Sequence, residues 1–199
     1  MMDFISLIRA GGWFMVPIFI ASLVTLALLI EHAWTIGRAK KHLSWLWQFP
    51  EKRDQLLLKK PNDVVLQYLT EVEETGLETS EEKRHLAGQL LLTQERRISW
   101  LGTIAAIAPL LGLLGTVSGM INIFFTIAGN PPANPLADLS HGISEALVAT
   151  AGGLIVAIVA ALGQHFLMNN NDDLAMDLEA WLKENDAKTG GKALAHQAK

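Results

Sequence analysis

The chain has 199 residues, of which 50% are hydrophobic and 18% are charged, and its formal net charge is -4 at pH 7. Because the charges lie mainly between and after long apolar runs, this composition predicts a small membrane protein with one domain and argues against a water-soluble enzyme. The absence of cysteine excludes disulfide bonds and cysteine-ligated metal sites.

Three apolar runs are each long enough to cross a bilayer as a helix, which takes roughly 20 residues. No charged residue occurs in Ala10–Ile30, Ile98–Ala137 or Ala146–Gly163. The first run follows Arg9, as the apolar core of a signal peptide would, but it is too long and no small-residue cleavage site follows it. We therefore interpret it as a retained helix and predict three spans.

The basic residues determine the predicted orientation. Eleven of the 16 Lys and Arg residues lie between Arg38 and Arg97, four follow the third run, and none lies in residues 129–141. Since basic residues concentrate on the cytoplasmic side, residues 38–97 and the C-terminal end are predicted to be cytoplasmic, and the N-terminus extracytoplasmic. The loop at 129–141 contains three prolines that break the helix, so the second and third spans should form an antiparallel hairpin.

Between the first two spans the sequence predicts two helices. The first has Asn62 as its predicted cap and carries one apolar face, which consists of Val65, Leu66, Leu69 and Val72. The second opens with Thr79 and Glu82 of a capping box. No proline interrupts it before Trp100, so it should run directly into the second span.

The helix of the third span should continue beyond the membrane. An amphipathic stripe follows it, made of Leu174, Leu178, Trp181 and Leu182, and the final TGGKALAHQAK is predicted to be disordered. The predicted spans are residues 13–36, 98–128 and 142–168. The segments outside the membrane are an extracytoplasmic or interfacial segment at 1–12, a cytoplasmic helical segment at 37–97, an extracytoplasmic loop at 129–141, and a cytoplasmic amphipathic helix with its disordered tail at 169–199. The fold class is an all-α membrane protein whose second and third helices extend into the cytoplasm.

Polar side chains occur at matching heights in the second and third spans. With about 1.5 Å of rise per residue, Thr116 and Thr150 lie equally far from the loop centre. By the same arithmetic Asn122 falls opposite Ser144 and Glu145. The polar residues of the two helices are therefore predicted to meet layer by layer.

Small residues occupy the remaining facing positions of the two spans. They are Gly112, Gly115 and Gly119 in the second span, and Ala146, Ala149, Gly152 or Gly153, and Ala157 in the third. Helices in lipid associate by close backbone approach and side-chain hydrogen bonds, both of which small residues and threonines allow. These faces are predicted to pack within one chain or between copies.

Each polar residue allows a structural and a functional interpretation. Thr116 and Thr150 can donate to the carbonyl one turn back in their own helices. Glu145, a few residues inside the third span, suits the positive end of the helix and the lipid headgroups. Alternatively, these groups mark a path for ions or protons or a contact with a cationic partner, and they suit H⁺ and Na⁺ alike.

Three stretches carry a resemblance to a known family: GGWFMVPIFIASLVTLALLIEHAW, APLLGLLGTVSGMINIF and GISEALVATAGGLIVAI. In the same order they resemble the three helices of the TolQ/ExbB/MotA proton-channel family, and in particular its short ExbB and TolQ branch. GLLGTV and EALVATAxGL together are a specific signature, far stronger than a glycine pattern alone.

The resemblance implies a homopentamer in the bacterial inner membrane around a dimer of single-span ExbD- or TolR-like partners. Such a complex couples proton flow to force on a TonB- or TolA-like energy transducer. The resemblance also implies that Thr116 and Thr150 line the pore, that Glu145 is the acidic position of the third helix, and that the proton-accepting aspartate belongs to the partner. Two rings of hydroxyls would relay protons through a few waters, and five Glu145 carboxylates would concentrate cations near the outer mouth.

Two positions depart from the family pattern. Val159 stands where members commonly have a proline that kinks the third helix. Ser118 stands where a bulky aromatic residue is frequent, which predicts a locally wider pore. Ser118 and Asn122 are therefore additional polar candidates for the pore lining.

Two other function classes stay open. A stator of the MotA type should carry four spans and a larger, charge-patterned cytoplasmic domain, and neither is present in the sequence; a stator of another ion-driven motor, such as a gliding motor, is a further alternative. A non-conducting scaffold would be distinguished by whether a neighbouring gene encodes a single-span protein with a membrane aspartate. The sequence has no nucleotide-binding loop, metal-ligand spacing or nucleophile triad, and we interpret His141 and His165 as interface histidines. No enzymatic activity and no cofactor are predicted.

Overall fold

The computed structural model describes residues 13–50, 56, 62–77, 79–129 and 134–197. These residues form four helices and no strand, in the order α1 (Met15–Gln48), α2 (Val64–Thr75), α3 (Ser80–Gly129) and α4 (Pro135–Gln197). Three of them, α1, α3 and α4, are long and apolar enough to cross a membrane. The prediction of an all-α protein with three spans is confirmed, whereas the predicted segment 1–12 and the loop residues 130–133 lie outside the described residues.

α3 is a single helix of 50 residues, as predicted from the absence of proline before Trp100. It begins at Ser80 and carries Glu81 and Glu82 in its first turn, where acidic side chains interact favourably with the positive end of the helix. The Glu82 carboxylate accepts a hydrogen bond from the Thr79 N–H at 3.4 Å. The acidic half of the predicted capping box is therefore confirmed.

One proline, Pro109, lies inside α3. Proline has no N–H, so the carbonyl of Ala105, four residues earlier, receives no helical hydrogen bond from it. The helix nevertheless continues to Gly129. Such interruptions are tolerated in membrane helices because neighbouring groups or local adjustments compensate the freed carbonyl.

α4 begins at Pro135, within the loop that the sequence predicts for 129–141, so residues 135–141 are helical. Proline is favourable at the first helical position, because the N–H that it lacks would be unpaired there in any case. The Asn134 side chain caps this end by accepting a hydrogen bond from the Ala137 N–H at 3.3 Å. The predicted loop is corrected accordingly: its last proline starts the helix.

The other end of α4 also differs from the prediction. The helical backbone continues to Gln197 and includes most of the tail that was expected to be disordered. After Pro135 the chain contains no further proline, and the Lys, Ala, Leu and Gln residues of the tail have high helix propensity.

Contacts divide the chain into two compact units. Unit 1 comprises Met1–Leu29 and Trp100–Gln164, and unit 2 comprises Ile30–Ser99 and His165–Lys199. α1, α3 and α4 each contribute to both units, whereas α2 belongs to unit 2 alone. Each unit has its own cluster of buried apolar side chains.

The buried cluster of unit 1 is made mainly of small and medium-sized side chains: Met15, Ile18, Ala108, Ala149, Val156 and Ala157. Larger apolar side chains lie on the surface of the unit, and more than half of the area of Leu113, Phe125, Leu147 and Ile155 is exposed. This distribution is expected for helices that present their large apolar residues to lipid.

In unit 2, Asp63 caps the N-terminus of α2 and is almost fully buried. Its Oδ1 accepts hydrogen bonds from the N–H groups of Val65 and Leu66, both at 3.1 Å, and its Oδ2 lies 2.8 Å from Nδ1 of His42 on α1. The predicted cap Asn62 is thus corrected to Asp63. Both residue types cap helices well, so only the position of the first helical residue decides between them.

The apolar faces predicted around α2 and at the end of α4 form the core of unit 2. Val65, Leu66, Leu69 and Val72 are buried together with Leu174, Leu178 and Leu182, and Trp181 packs against them partly exposed. They contact Ala39, Leu43 and Leu46 of α1 and Leu86 and Ala87 of α3. Unit 2 is therefore a four-helix arrangement around one mainly aliphatic core that also buries Tyr68, and the two predicted apolar faces are confirmed as part of it.

Candidate functional site

In unit 1, α3 and α4 approach each other at Gly112 and Gly153. A Cβ atom placed on Gly153 would lie 2.5 Å from the carbonyl oxygen of Ala108, and one on Gly112 would lie 2.9 Å from the Cα of Thr150. Only hydrogen atoms fit at such distances, so the two backbones are in direct contact. Small residues stabilise helix pairs in lipid in this way, because large apolar side chains gain nothing by leaving lipid.

Two further glycines of α3 face alanines of α4. A Cβ atom on Gly115 would lie 2.9 Å from the Ala149 Cβ, and one on Gly119 would lie 3.4 Å from the Ala146 Cβ. Together with Gly112 these glycines form one small-residue face along α3. The sequence predicted this face and its partners on the third span.

The adjacent glycines of α4 have different neighbours. Gly153 packs against α3, whereas a Cβ on Gly152 would meet Met15 and Ile18 of α1 at 3.6 and 3.7 Å. Sequence analysis left open which of the two faces α3, and the structure assigns that position to Gly153. Gly152 instead allows α1 to pack beside the pair.

Thr150 forms a hydrogen bond between the two helices. Its Oγ1 donates to the Gly112 carbonyl of α3 at 3.0 Å. The simple structural interpretation, a bond to the preceding turn of its own helix, therefore does not describe this threonine. The bond lies at the closest approach of α3 and α4, so the Thr150 side chain is held in one orientation.

Thr116 behaves differently. It is buried, and its Oγ1 donates to the Leu113 carbonyl of its own helix at 2.7 Å. The local interpretation is therefore correct for Thr116. The two threonine hydroxyls donate to different carbonyls and do not hydrogen-bond to each other.

An open-sided cavity of about 320 Å³ lies in unit 1 between α3, α4 and the residues that precede α1. Three polar residues predicted for the site lie in its wall, namely Ser118, Asn122 and Glu145. The rest of the wall consists of Trp13, Phe14, Gly115, Gly119, Ile121, Phe125 and Ala146. The structure thus brings the Glu145 carboxylate to the same cavity as the Asn122 amide, which the height argument placed opposite it, and as the Ser118 hydroxyl, while Ser144, Thr116 and Thr150 are not part of this wall.

Glu145 is partly exposed in this cavity. Its carboxylate makes no hydrogen bond or ion pair with any residue that the structure describes. Because α4 begins at Pro135, Glu145 lies in the third turn of the helix, and the field of a helix end falls off within the first turn. The helix-end interpretation therefore does not account for this residue, whose oxygens are free to accept a hydrogen bond or to attract a cation.

The two histidines singled out in the sequence, His141 and His165, lie outside the cavity wall. His141 is exposed, and His165 is exposed with its Nε2 at 3.3 Å from the Asn169 amide nitrogen. In the described part of the chain, no three His, Asp or Glu side chains are grouped so that they could hold a metal ion.

Sequence reasoning did not include two aromatic residues of the cavity, Trp13 and Phe14. They precede α1, and Phe14 also lies beside Gly115, where an added Cβ would be 3.2 Å from the Phe14 Cβ. The only signal was their place at the start of the first apolar run, which is typical of interfacial aromatics rather than of a site.

Comparison with known proteins identifies one family. Residues 57–180 match the profile of the MotA/TolQ/ExbB proton channel family.

A biopolymer transport protein named ExbB-like 1 from Synechocystis sp. is 29% identical over 181 residues, which cover 76% of this chain and 65% of that protein. Biopolymer transport protein ExbB of Neisseria gonorrhoeae is 38% identical over 97 residues, which cover 49% and 44%. Tol-Pal system protein TolQ of Haemophilus influenzae is 36% identical over 90 residues, which cover 45% and 39%, so this chain spans less than two thirds of the length of each relative.

Proposed function

We propose the function of this chain from its family: it belongs to the MotA/TolQ/ExbB proton channel family, and we infer that it is the multi-span subunit of a proton-driven complex. The complex resides in the bacterial inner membrane. Five copies surround a dimer of single-span partners of the ExbD or TolR type. Proton flow through it exerts force on a TonB- or TolA-like transducer for outer-membrane transport or envelope work, in line with the names of its ExbB and TolQ relatives.

The observation that carries this proposal is a set of polar side chains in an otherwise apolar helix pair. Thr150 is bonded across the pair, and Ser118, Asn122 and Glu145 surround one cavity nearer the loop end. Ionisable and polar groups are costly within a membrane and usually mark a path for ions or protons. Purely structural helix packing would not require an unpaired carboxylate beside this packed face.

The hydrogen bonds define what each threonine contributes. Both hydroxyls already donate their proton to a backbone carbonyl, so each offers only its lone pairs to a pore. In the pentamer two rings of such oxygens accept hydrogen bonds from water or hydronium. The waters carry the proton to the carboxylate of the partner, and the threonines orient them.

Glu145 acts upstream of the threonines in this scheme. Its carboxylate, with the Asn122 amide and the Ser118 hydroxyl, attracts a cation into the cavity. The loop between α3 and α4 is extracytoplasmic, so this cavity faces the side from which protons enter. The N-terminus lies on that side as well, and the C-terminus is cytoplasmic.

The topology is tested with single cysteines, which the chain otherwise lacks. Cysteine at Asn134 should react with an impermeant reagent added to intact spheroplasts. Cysteine at Glu81 should react only after the membrane is opened. The reverse pattern would contradict the orientation.

The channel function is tested with isosteric variants of the threonines in the complex with its partner. Thr150→Val and Thr116→Val should abolish proton uptake by liposomes that contain the complex, because each removes the accepting oxygen, while partner pull-down is retained. Thr150→Ser should keep partial activity. The matched control is Thr25→Val: Thr25 is also buried in a span and donates to its own helix, at 2.8 Å to the Ala21 carbonyl, but it lies on α1.

Glu145 is tested with two substitutions. Loss of uptake in Glu145→Ala that Glu145→Gln largely restores would indicate a hydrogen-bonding role. Equal loss in both would show that the charge is required. Full activity in both would remove Glu145 from the proposed path.

A non-conducting scaffold is the second candidate, and the local bond of Thr116 favours it, because a threonine with a purely structural role makes this bond. A scaffold would tolerate both valine variants without loss of transport. Full proton uptake in both would remove the two threonines from the proposed path, whereas the absence of proton uptake by the wild-type complex would reject the channel proposal in favour of the scaffold.

A further inference from the structure

We propose that the outer face of α1 at Trp34, Arg38 and Lys41 binds the phosphate of an anionic phospholipid at the edge of the bilayer. The three residues are spaced by four and three positions, so they lie on one face of the helix. The proposal concerns lipid contact and does not depend on the channel function.

The same face of α1 is mainly apolar on the N-terminal side of Trp34, with one exposed acidic residue, Glu31, beside it. Its exposed residues follow helical spacing, with relative exposures of 43%, 55%, 52%, 60% and 64% at Val16, Ile20, Leu23, Ile30 and Trp34. Arg38 and Lys41 continue this stripe one and two turns further along. An exposed apolar stripe that changes to an aromatic and then to basic residues matches the order of acyl chain, interface and headgroup in a lipid.

Trp34 and Arg38 form a stacked pair. The guanidinium carbon of Arg38 lies 3.8 Å from the centre of the Trp34 ring. Stacking uses the face of the guanidinium and leaves its N–H groups, which lie in the guanidinium plane, available as donors. A planar group held in this way is suited to bind two phosphate oxygens at once.

Within the described part of the chain, neither basic side chain of this face has an acidic partner. Arg38 and Lys41 make no ion pair with any described residue, including the exposed Glu31 one turn before Trp34. Lys40 provides the contrast, because its Nζ lies 2.9 Å from Asn170 Oδ1 and 3.1 Å from Asp173 Oδ2. The charges of Arg38 and Lys41 are therefore available to an external anion.

A phospholipid fits this face better than an acidic peptide does. An anionic headgroup complements the two free charges, and its acyl chains match the apolar stripe that continues directly from them. An acidic peptide would satisfy the charges but not the stripe. The occupant is therefore expected to be a phosphatidylglycerol-like lipid of the bilayer itself.

The test is native mass spectrometry of the full-length protein purified in detergent and titrated with phosphatidylglycerol or phosphatidylcholine. The wild-type chain should retain phosphatidylglycerol in preference to phosphatidylcholine. The double variant R38Q/K41Q should bind phosphatidylglycerol about thirtyfold more weakly, because each basic residue near an anionic surface contributes about fivefold to the affinity. The control is Lys183→Gln, which removes one positive charge from a residue paired with Glu179 at 3.2 Å.

Arg38→Lys keeps the charge but loses the planar guanidinium that can donate to two phosphate oxygens at once. Its affinity for phosphatidylglycerol should lie between those of the wild type and R38Q/K41Q. Equal retention of the two lipids by the wild type would overturn the proposal, as would unchanged retention by R38Q/K41Q. A changed oligomeric state with unchanged lipid retention would assign the face to a second copy and would overturn it as well. Should the double variant fail to fold, Arg38→Lys and the wild-type lipid preference decide the question in the same way.

Discussion

The two units bury side chains of different sizes: large ones dominate the core of unit 2, whereas small and medium-sized ones dominate the core of unit 1. The core of unit 2 contains leucines from all four helices, such as Leu43, Leu69 and Leu174. The α3–α4 pair of unit 1 instead meets through glycines and alanines, while most of its large apolar side chains, such as Leu113, Phe125 and Leu147, are exposed. Such a difference is expected between a helix bundle that faces water and one that faces lipid, because water drives large apolar groups inside, whereas lipid solvates them as well as a protein interior does and leaves close backbone contact as the attractive term.

The largest expected effect follows from truncating a leucine in the two units. Leu69→Ala in unit 2 removes a side chain that is 1% exposed and should lower the free energy of unfolding by about 2–5 kcal/mol. Leu113→Ala in unit 1, where Leu113 is 56% exposed, should change it by about 0.5 kcal/mol or less. Hydrogen exchange of the α2 amides and thermal unfolding in detergent measure the two effects. Equal losses of unfolding free energy in Leu69→Ala and Leu113→Ala would contradict the proposed difference between the two units.

Replacing a glycine by alanine should reverse this pattern, with a loss of unfolding free energy in unit 1 and none in unit 2. Gly153→Ala places a Cβ against the Ala108 carbonyl and should cost about 1–3 kcal/mol, because neither backbone can move aside without opening the helix pair. Gly88→Ala, in the α3 segment of unit 2, meets no atom within 4 Å and should stabilise the helix by up to about 1 kcal/mol. Unfolding in a denaturing detergent measures both. A stabilising Gly153→Ala would show that the contact is looser than described.

The residue that caps the N-terminus of α2 can be tested within unit 2. Asp63→Ala removes two hydrogen bonds to the first turn and the contact with His42, and it should cost about 0.5–2 kcal/mol. The amides of Val65 and Leu66 should then exchange faster. Asn62→Ala is the matched control and should leave both rates unchanged, whereas the reverse result would restore Asn62 as the cap.

The smallest expected effect concerns the polar bond in unit 1. Thr150→Val should weaken the α3–α4 pair by about 0.6 kcal/mol, the usual size of a hydrogen bond between membrane helices, and Thr150→Ser should weaken it less. Helix-pair stability is measured by unfolding in mixed detergent micelles. A loss well above about 2 kcal/mol would mean that Thr150 holds the pair together, and the functional test of this variant would then need Thr150→Ser alone.

The elements that depend on periodicity were predictable from the sequence. The apolar face with Leu66 and Leu69, the stripe with Leu178 and the uninterrupted α3 all follow from spacing over many residues. The glycine face of α3 and its alanine partners on α4 were predictable for the same reason, because a hairpin fixes which heights meet.

Single-residue choices were not predictable. Asn62 and Asp63 are equally good caps, and Pro135 serves as well to start a helix as to break one, so each outcome depends on which residue first adopts helical angles. The partner of Thr150 depended on rotation of α4 about its axis, which placed its hydroxyl toward Gly112 rather than along its own helix. Sequence periodicity does not determine that rotation to within one side chain.

Pro109 gives α3 a local mechanical weakness. The Ala105 carbonyl lacks its usual donor there, so bending the helix at this turn breaks one hydrogen bond fewer than bending it elsewhere. The neighbouring Ala108 carbonyl is in contact with Gly153, so the same turn is also the place where α3 bears on α4. A force applied along α3 should therefore bend the helix at residues 105–109 before it bends elsewhere. This turn is expected to be the most flexible point of an otherwise rigid helix.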